Sequence, residues 1–71
     1  MSHKYELIVF WSREDDAFVV DVPELPGCMA HAATAAEAVA NAQAAIDLWI
    51  ETAQASKRDV PEPKGRRLLY A

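Results

Sequence analysis

One long amphipathic segment, from Ala35 to Ser56, takes up almost a third of this 71-residue chain and constrains its fold more than any other feature. Its apolar residues recur every three or four positions, a pattern that predicts a helix with one buried side. These residues are Ala35, Ala38, Val39, Ala42, Ile46, Trp49, Ile50 and Ala53. Thr34 and Glu37 have the spacing of a capping box, in which two backbone amides are bonded reciprocally, so the helix is predicted to begin directly after Thr34.

Three shorter segments before the helix have the composition of β-strands. The first runs from Lys4 to Ser12 and is rich in β-branched and aromatic residues, without glycine or proline. The polar segment 13–16 predicts a turn, and Ala17 to Val22 predicts the second strand, paired with the first as a hairpin. The prolines and the glycine of segment 23–27 end this strand. Cys28 to His31 is predicted as a short third strand.

A further segment, Arg66 to Tyr70, has the composition of a short last strand after the helix. The predicted order is therefore βββαβ, or βββα with a tail. We expect an α+β fold in a single domain over residues 1–71, in which one helix covers one face of a small antiparallel sheet.

The first strand carries large apolar side chains on both of its faces. Alternation places Tyr5, Leu7, Val9 and Trp11 on one face, and Ile8 and Phe10 on the other with Glu6. One helix cannot cover both faces of a sheet, and a chain of this length has little else with which to cover the second. Exposed apolar patches mark contact surfaces. We therefore expect a homodimer, a higher homo-oligomer or another tight complex, with Ile8 and Phe10 as candidate contact residues.

The outward side of the helix offers a second candidate surface. A shallow stripe of apolar residues is bordered by polar ones; the stripe is Ala36, Ala40, Ala44 and Leu48, and its border is Glu37, Asn41, Asp47 and Glu51. Helix stabilisation is the simpler explanation of the alanines, because alanine has the highest helix propensity. Leu48 lies well away from the buried side, so Leu48 and Ala44 join Ile8 and Phe10 as candidate partner-binding residues.

The net charge of −4, from eleven acidic and seven basic residues, disfavours binding to a nucleic-acid backbone, which rewards lysine and arginine. It favours contact with a basic protein. Cys28 is the only cysteine, so the chain has no internal disulfide, as expected in the reducing cytoplasm. No segment approaches the ~20 apolar residues of a membrane span, and no secretory signal is recognisable.

No arrangement of residues predicts catalysis. Cys28 and His31 are separated by an odd number of positions, so on a strand they point to opposite faces. Asp15 and Asp16 lie in a predicted turn, where aspartate is common, and Asp21 lies at a strand end. The histidines and the cysteine lack metal-ligand spacing, and two isolated glycines cannot form a phosphate-binding loop. We therefore expect no enzymatic activity, no cofactor and no metal site.

The order and spacing of several short motifs resemble the HicB-like antitoxin family. A first strand bearing Tyr5 and a short acidic turn precede the sequence FVVDVPELPGC at 18–28, and TAAEA at 34–38 opens a helix that continues as NAQAAIDLWIE. The DVPEP segment at 59–63 is similar to the family's proline-containing segment after the helix. The resemblance extends from Tyr5 to about Pro63. Its motif residues are Pro23, Pro26, Gly27, Cys28, Thr34 and Glu37.

The resemblance implies a partial ribonuclease-H-like βββαβ fold that lacks that enzyme's catalytic carboxylates. It also implies a cytoplasmic antitoxin that neutralises a HicA-type toxin, a small basic ribonuclease that cuts messenger RNA, by covering the toxin's active surface. Two alternatives stay open. One is an RNA- or nucleotide-contacting, degenerate ribonuclease-H-like domain, and the other is an orphan dimeric module without a toxin.

Two departures from the family pattern carry expectations of their own. Ala32 and Ala33 stand where the family usually has a Gly-Asp pair before the capping threonine. Alanine is costly at positive φ, so this loop is expected to take another conformation or to be strained. Many family members also carry a DNA-binding segment after the sheet domain. The sequence ends at Ala71 without one, so direct DNA binding is not expected.

Overall fold

The computed structural model describes residues 3–63 and contains three strands and one helix. The elements are β1 (Ile8–Ser12), β2 (Ala17–Asp21), β3 (Met29–Ala32) and α1 (Ala35–Ala55). The strands form one antiparallel sheet in the order β1-β2-β3, and α1 packs on one of its faces. The predicted α+β fold is confirmed. The last strand predicted at Arg66 to Tyr70 lies outside the described residues.

The first strand is shorter than predicted, because it begins at Ile8 and not at Lys4. Ile8 pairs with Asp21, which is the last residue of β2. The residues before Ile8 therefore have no neighbouring strand with which to form a ladder. Tyr5, which we assigned to the strand, is buried in the core instead.

The predicted bounds of the other two strands are wrong by one residue. The second strand ends at Asp21 and not at Val22. The third runs Met29–Ala32, one residue later than the predicted Cys28 to His31. The hydrogen bonds of the intervening turn explain both shifts, because they engage Val22 and Cys28, the two residues predicted at the strand ends.

The turn between β2 and β3 is closed by a chain of backbone hydrogen bonds. The Val22 amide donates to the Cys28 carbonyl over 3.1 Å, and the Cys28 amide donates to the Leu25 carbonyl over 2.9 Å. Gly27 has a φ of 81°, in the left-handed region that glycine adopts without strain. Leu25 is fully buried, so the turn contributes to the core as well as reversing the chain.

The helix begins where the capping box placed it, but the box is only partly formed. The Thr34 hydroxyl oxygen accepts a hydrogen bond from the Glu37 amide over 3.1 Å, which satisfies one unpaired amide of the first turn. The same hydroxyl donates to the Glu37 carboxylate over 2.9 Å. A complete capping box predicts that this carboxylate accepts from the Thr34 amide, and that part of the prediction is wrong.

The helix ends in a Schellman motif with a lysine at the position that usually holds glycine. The last helical residue is Ala55, one residue before the predicted end, and Ser56 is the cap. Lys57 has a φ of 58°. Its amide donates to the Gln54 carbonyl over 3.1 Å, and the Arg58 amide donates to the Ala53 carbonyl over 2.8 Å. These two bonds are the signature of the motif.

The core lies between α1 and the sheet, and the predicted helical stripe is only half buried. Ala38, Ala42, Ile46 and Ala53 are buried, whereas Ala35, Val39, Trp49 and Ile50 are partly exposed. The sheet and the turn supply the other large buried side chains, which are Val20, Val22 and Leu25. The core is therefore small and depends on close packing of alanines against β2 and β3.

The Ala32–Ala33 segment takes another conformation and is not strained. Ala32 is the last residue of β3. Apart from Gly27, the described residues with positive φ are Asp16 and Lys57. The loop therefore reaches the helix cap at Thr34 without the left-handed backbone that would penalise alanine.

Candidate protein-interaction surface

Strand register assigns each sheet residue to the face under the helix or to the face away from it. Val20 and Phe18 contact helix residues, so the residues that alternate with them point away from α1. Two cross-strand rows define this uncovered face: Ile8, Asp21 and Met29 form one row, and Phe10, Val19 and His31 form the other.

Four apolar side chains of this face form what we call the open patch: Ile8, Phe10, Val19 and Met29. Ile8 is 46% exposed, Phe10 is 44% exposed and Met29 is 54% exposed, whereas Val19 between them is buried. The structure thus brings the candidate residues Ile8 and Phe10 together. Sequence reasoning missed Met29, because a third strand starting at Cys28 left its face undetermined.

The polar groups around the open patch are few. Asp21 is partly buried and His31 is exposed. A shallow cavity of about 360 Å³ lies at one end of the patch and is lined by Asp15, Val19, Met29, Ala30 and His31. The patch is therefore an apolar centre with the carboxylates of Asp15 and Asp21 and the imidazole of His31 at its margin.

The opposite face of β1 is less covered than expected. Val9 and Trp11 point towards the helix side but remain 40% and 47% exposed, because α1 packs mainly over β2 and β3. Trp11 is held by an edge-to-face contact with Phe18, with ring centroids 5.1 Å apart. Such pairs favour this geometry over direct stacking.

The candidate residues Ala44 and Leu48 lie on a different surface, which we call the helix ridge. Both are exposed, and Leu48 is 65% exposed, more than any other large apolar residue described. The helix carries three exposed acids, Glu37, Asp47 and Glu51, and no lysine or arginine over its 21 residues. One of them is Asp47, whose carboxylate oxygen Oδ1 lies 2.5 Å from Nε2 of the His3 imidazole.

The open patch and the helix ridge meet at the β3 edge of the sheet. A groove of about 300 Å³ runs between β3 and α1, and it is lined by Gly27, Cys28, Met29, Ala45, Leu48, Trp49, Thr52 and Arg58. Met29 belongs to the open patch and Leu48 to the helix ridge, so this groove joins the two surfaces.

Cys28 and His31 do not form a nucleophile–base pair. Cys28 lies in the core beside Leu25 and Ile46, and burial, followed by the nearby charge of Asp21, raises the pKa of its thiol. His31 lies on the uncovered face, and its backbone carbonyl accepts a 3.0 Å hydrogen bond from the Asn41 amide group. A buried thiol with a raised pKa is a poor nucleophile.

Asp15 and Asp16 have structural roles in the turn between β1 and β2. The Asp15 carboxylate accepts from the Ser12 hydroxyl over 2.9 Å, and the Asp15 amide donates back to that hydroxyl oxygen over 3.3 Å. Asp16 has a φ of 52°, which aspartate tolerates in turns. Within residues 3–63 no group of three histidine, cysteine or carboxylate residues could hold a metal ion.

A family model for the HicB-like antitoxins of bacterial toxin–antitoxin systems matches residues 5–68. The chain belongs to this family. Two relatives of this HicB-like chain are UPF0150 proteins. One, from Thermoplasma acidophilum, is 34% identical over 65 residues, which cover 92% of this chain and 93% of the relative. The other, from a Synechocystis species, is 35% identical over 54 residues, which cover 76% of this chain and 74% of the relative. No solved structure gives a significant match.

The motif residues of this HicB-like chain have structural roles. Pro26 presents its carbonyl to the helix, Gly27 supplies the left-handed turn, and Thr34 caps α1. None of the helices in the described part of the chain is long and apolar enough to cross a membrane. Membership of an antitoxin family implies a toxin as partner. The exposed apolar surfaces are the candidate contact sites for such a partner.

Proposed function

We propose that this chain neutralises a small, basic, HicA-type toxin that cuts messenger RNA, and that it does so in the cytoplasm by protein–protein contact, without chemistry of its own. The observation that carries the proposal is the helix ridge. It combines Leu48, which is 65% exposed, with a helix that has three acids and no base. Family membership supplies the toxin as a class of partner.

Electrostatics give the helix ridge its preference for a basic partner. Three of the acidic residues behind the net charge of −4 lie on α1. A ribonuclease must bind the phosphates of its substrate, and lysine and arginine supply that binding. An acidic helix is therefore attracted to the same toxin surface that binds RNA, so that occupancy by one excludes the other.

Leu48 supplies the apolar part of the contact. Binding energy concentrates in a few side chains that lose their water on association. The small side chain of Ala44, one turn earlier on the same exposed surface, allows a partner's backbone to approach the helix closely. The acids at the border then lie at the rim, where charges steer association and fix orientation.

The test is a titration of a purified HicA-type toxin with this protein, with cleavage of a labelled RNA as readout. We expect stoichiometric protection, and binding that weakens as salt is raised. Leu48→Lys should weaken binding at least about tenfold, because it removes the apolar anchor and adds a charge of the wrong sign. Gln54→Lys is the matched control, since it makes a similar charge change at an exposed site of the same helix.

Two outcomes would contradict the proposal. One is full protection by the Leu48→Lys variant with its circular dichroism unchanged. The other is binding of RNA by this chain alone with an affinity similar to that of the toxin, which would favour the RNA-contacting alternative.

A further inference from the structure

We propose that the groove between β3 and α1 binds the carboxyl-terminal end of an extended peptide, which adds to the outer edge of β3 as an antiparallel strand. The occupant is a segment of another protein that ends in an apolar residue with a free carboxylate. The proposal rests on the backbone register of β3, on the lining of the groove and on the position of Arg58. It does not depend on the identity of a toxin.

The outer edge of β3 presents unpaired backbone groups at Met29. The Val22 amide donates to the Cys28 carbonyl, and in an antiparallel ladder such bonded pairs alternate with pairs that share no hydrogen bond. The next pair, Asp21 with Met29, is of the second kind, so the amide and the carbonyl of Met29 point away from β2. Within residues 3–63 no side chain bonds either group. An edge of this kind is a template for another strand.

Asn41 limits the length of this edge. By the same alternation, His31 is the next residue of β3 whose backbone groups point outward. Its carbonyl oxygen already accepts a 3.0 Å hydrogen bond from the Asn41 side chain. An added strand is therefore fully paired at Met29 and only partly paired at His31. The available edge is short, and it lies where Met29 lines the groove.

The groove lies on the helix side of this edge. It has a volume of about 300 Å³, and Leu48, Trp49 and Thr52 contribute to its helical wall. This volume is at the lower end of the range for ligand pockets. In an added strand, the residue after the partner of Met29 points to the helix side, because side chains alternate. Its side chain enters the groove, which selects an apolar residue at that position.

Arg58 selects a carboxylate and sets the direction of the strand. Arg58 lies over the ring of Trp49, whose indole nitrogen bonds Pro26 in the turn before β3. A strand antiparallel to β3 runs towards that turn, so it brings its carboxyl end to Arg58. Within the described residues Arg58 forms no ion pair, and those that line the groove include no carboxylate. A guanidinium binds a carboxylate through two parallel N–H donors.

The small size of the site sets the expected strength. The peptide gains one buried apolar side chain, a few main-chain hydrogen bonds and one charge pair, a combination that other proteins use to recognise extended peptides and their carboxyl ends. The net charge of −4 opposes the approach of a carboxylate. We therefore expect a dissociation constant on the order of 0.1–1 mM for a tetrapeptide.

Titration of the isotope-labelled whole chain with a tetrapeptide, followed by nuclear magnetic resonance, tests the proposal. The probe is acetyl-threonine-valine-threonine-leucine with a free carboxylate, and its carboxyl-terminal amide is the matched control. The signals of the Met29 amide and the Trp49 indole should shift. The Met29 amide should also gain protection from hydrogen exchange, whereas the Ala30 amide, which already bonds β2, should be protected throughout. The amidated peptide should bind at least about tenfold more weakly.

Two variants and one control test the carboxylate site. Arg58→Gln should weaken binding at least about tenfold, and Lys57→Gln, which removes the same charge beside the groove without lining it, should bind like wild type. Thr52→Glu places a carboxylate in the groove and should weaken binding in the same way. All three positions are exposed, so circular dichroism should be unchanged.

Three results would overturn the proposal. The first is equal binding of the peptide and its amide, and the second is the absence of any shift at about 5 mM peptide. The third is a Met29 amide that is protected from exchange before peptide is added. Protection at every protein concentration would assign the edge to a segment of the chain outside residues 3–63, and protection that rises with concentration would assign it to a second copy.

Discussion

The indole nitrogen of Trp49 donates a hydrogen bond to the carbonyl oxygen of Pro26 over 3.0 Å. This bond joins the last part of the helix to the turn between β2 and β3. The two bonded residues are 23 positions apart in sequence. The Arg58 guanidinium lies over the face of the same indole ring, 5.8 Å from the ring centroid. Trp49 therefore connects the turn, the helix and the helix end.

We predict that Trp49→Ala lowers the free energy of unfolding by about 3 kcal/mol, the lower end of the range for truncating a large aromatic residue, because Trp49 is partly exposed. Trp49→Phe keeps most of the packing and loses the hydrogen bond, so it should cost about 1 kcal/mol. Urea unfolding followed by circular dichroism measures both. A Trp49→Ala variant as stable as wild type would show that the contact with Pro26 is unimportant.

We predict that Lys57→Gly stabilises the protein by about 0.5–1 kcal/mol, because glycine adopts the left-handed φ of 58° without the cost that a side chain brings. Gln54→Gly is the control. It lies inside α1 and should destabilise by about 1 kcal/mol, because glycine is a poor helix former. Equal effects of the two changes on the urea midpoint would contradict the assignment of the Schellman motif.

We predict that the contribution of Tyr5 to the free energy of unfolding is lost at alkaline pH. Burial raises the pKa of Tyr5 above its ordinary value of 10.0, and the carboxylates of Glu24 and Glu62 add to the effect. Its hydroxyl donates to the Pro61 carbonyl. Since the folded state favours the neutral phenol, this contribution is complete below pH 10 and is lost as the pH rises through the raised pKa.

The Tyr5→Phe variant tests this pH dependence. At pH 7 it should be less stable than wild type by about 0.5–1.5 kcal/mol, because the hydrogen bond to Pro61 is gone. Above pH 10 the difference should shrink, since phenylalanine has no proton to lose. Urea midpoints of both proteins from pH 7 to pH 11 measure it, and parallel curves would count against the argument.

We predict that Cys28 reacts slowly with a thiol reagent such as dithionitrobenzoate. The side chain is buried, and its raised pKa reduces the fraction of reactive thiolate at neutral pH. The rate should increase at least about 100-fold in urea that unfolds the chain. Because Cys28 is the only cysteine, the whole signal reports on this site. Rapid labelling of the folded protein would show that the thiol is accessible.

The helix was predictable from sequence because its signals are local. The apolar period and the spacing of Thr34 and Glu37 placed its start correctly and its end to within one residue. The degree of burial was not predictable: Ile46 is fully buried and Trp49 is partly exposed, although both lie on the predicted stripe. Burial depends on which strand lies opposite each helical turn, and no local pattern contains that information.

The sequence by itself determined that Ile8 and Phe10 lie on one face of β1 and that Val9 lies on the other, because side chains alternate along any strand. Only the tertiary structure decided which of these faces the helix covers. Leu7 packs against both parts of the core, so Leu7→Lys should unfold the chain, whereas Ile8, Val9 and Phe10 are each at least 40% exposed. The physical reason is that alternation is a property of the extended backbone. Which face of the sheet is buried depends instead on where the apolar side of the helix packs, and that is a tertiary contact.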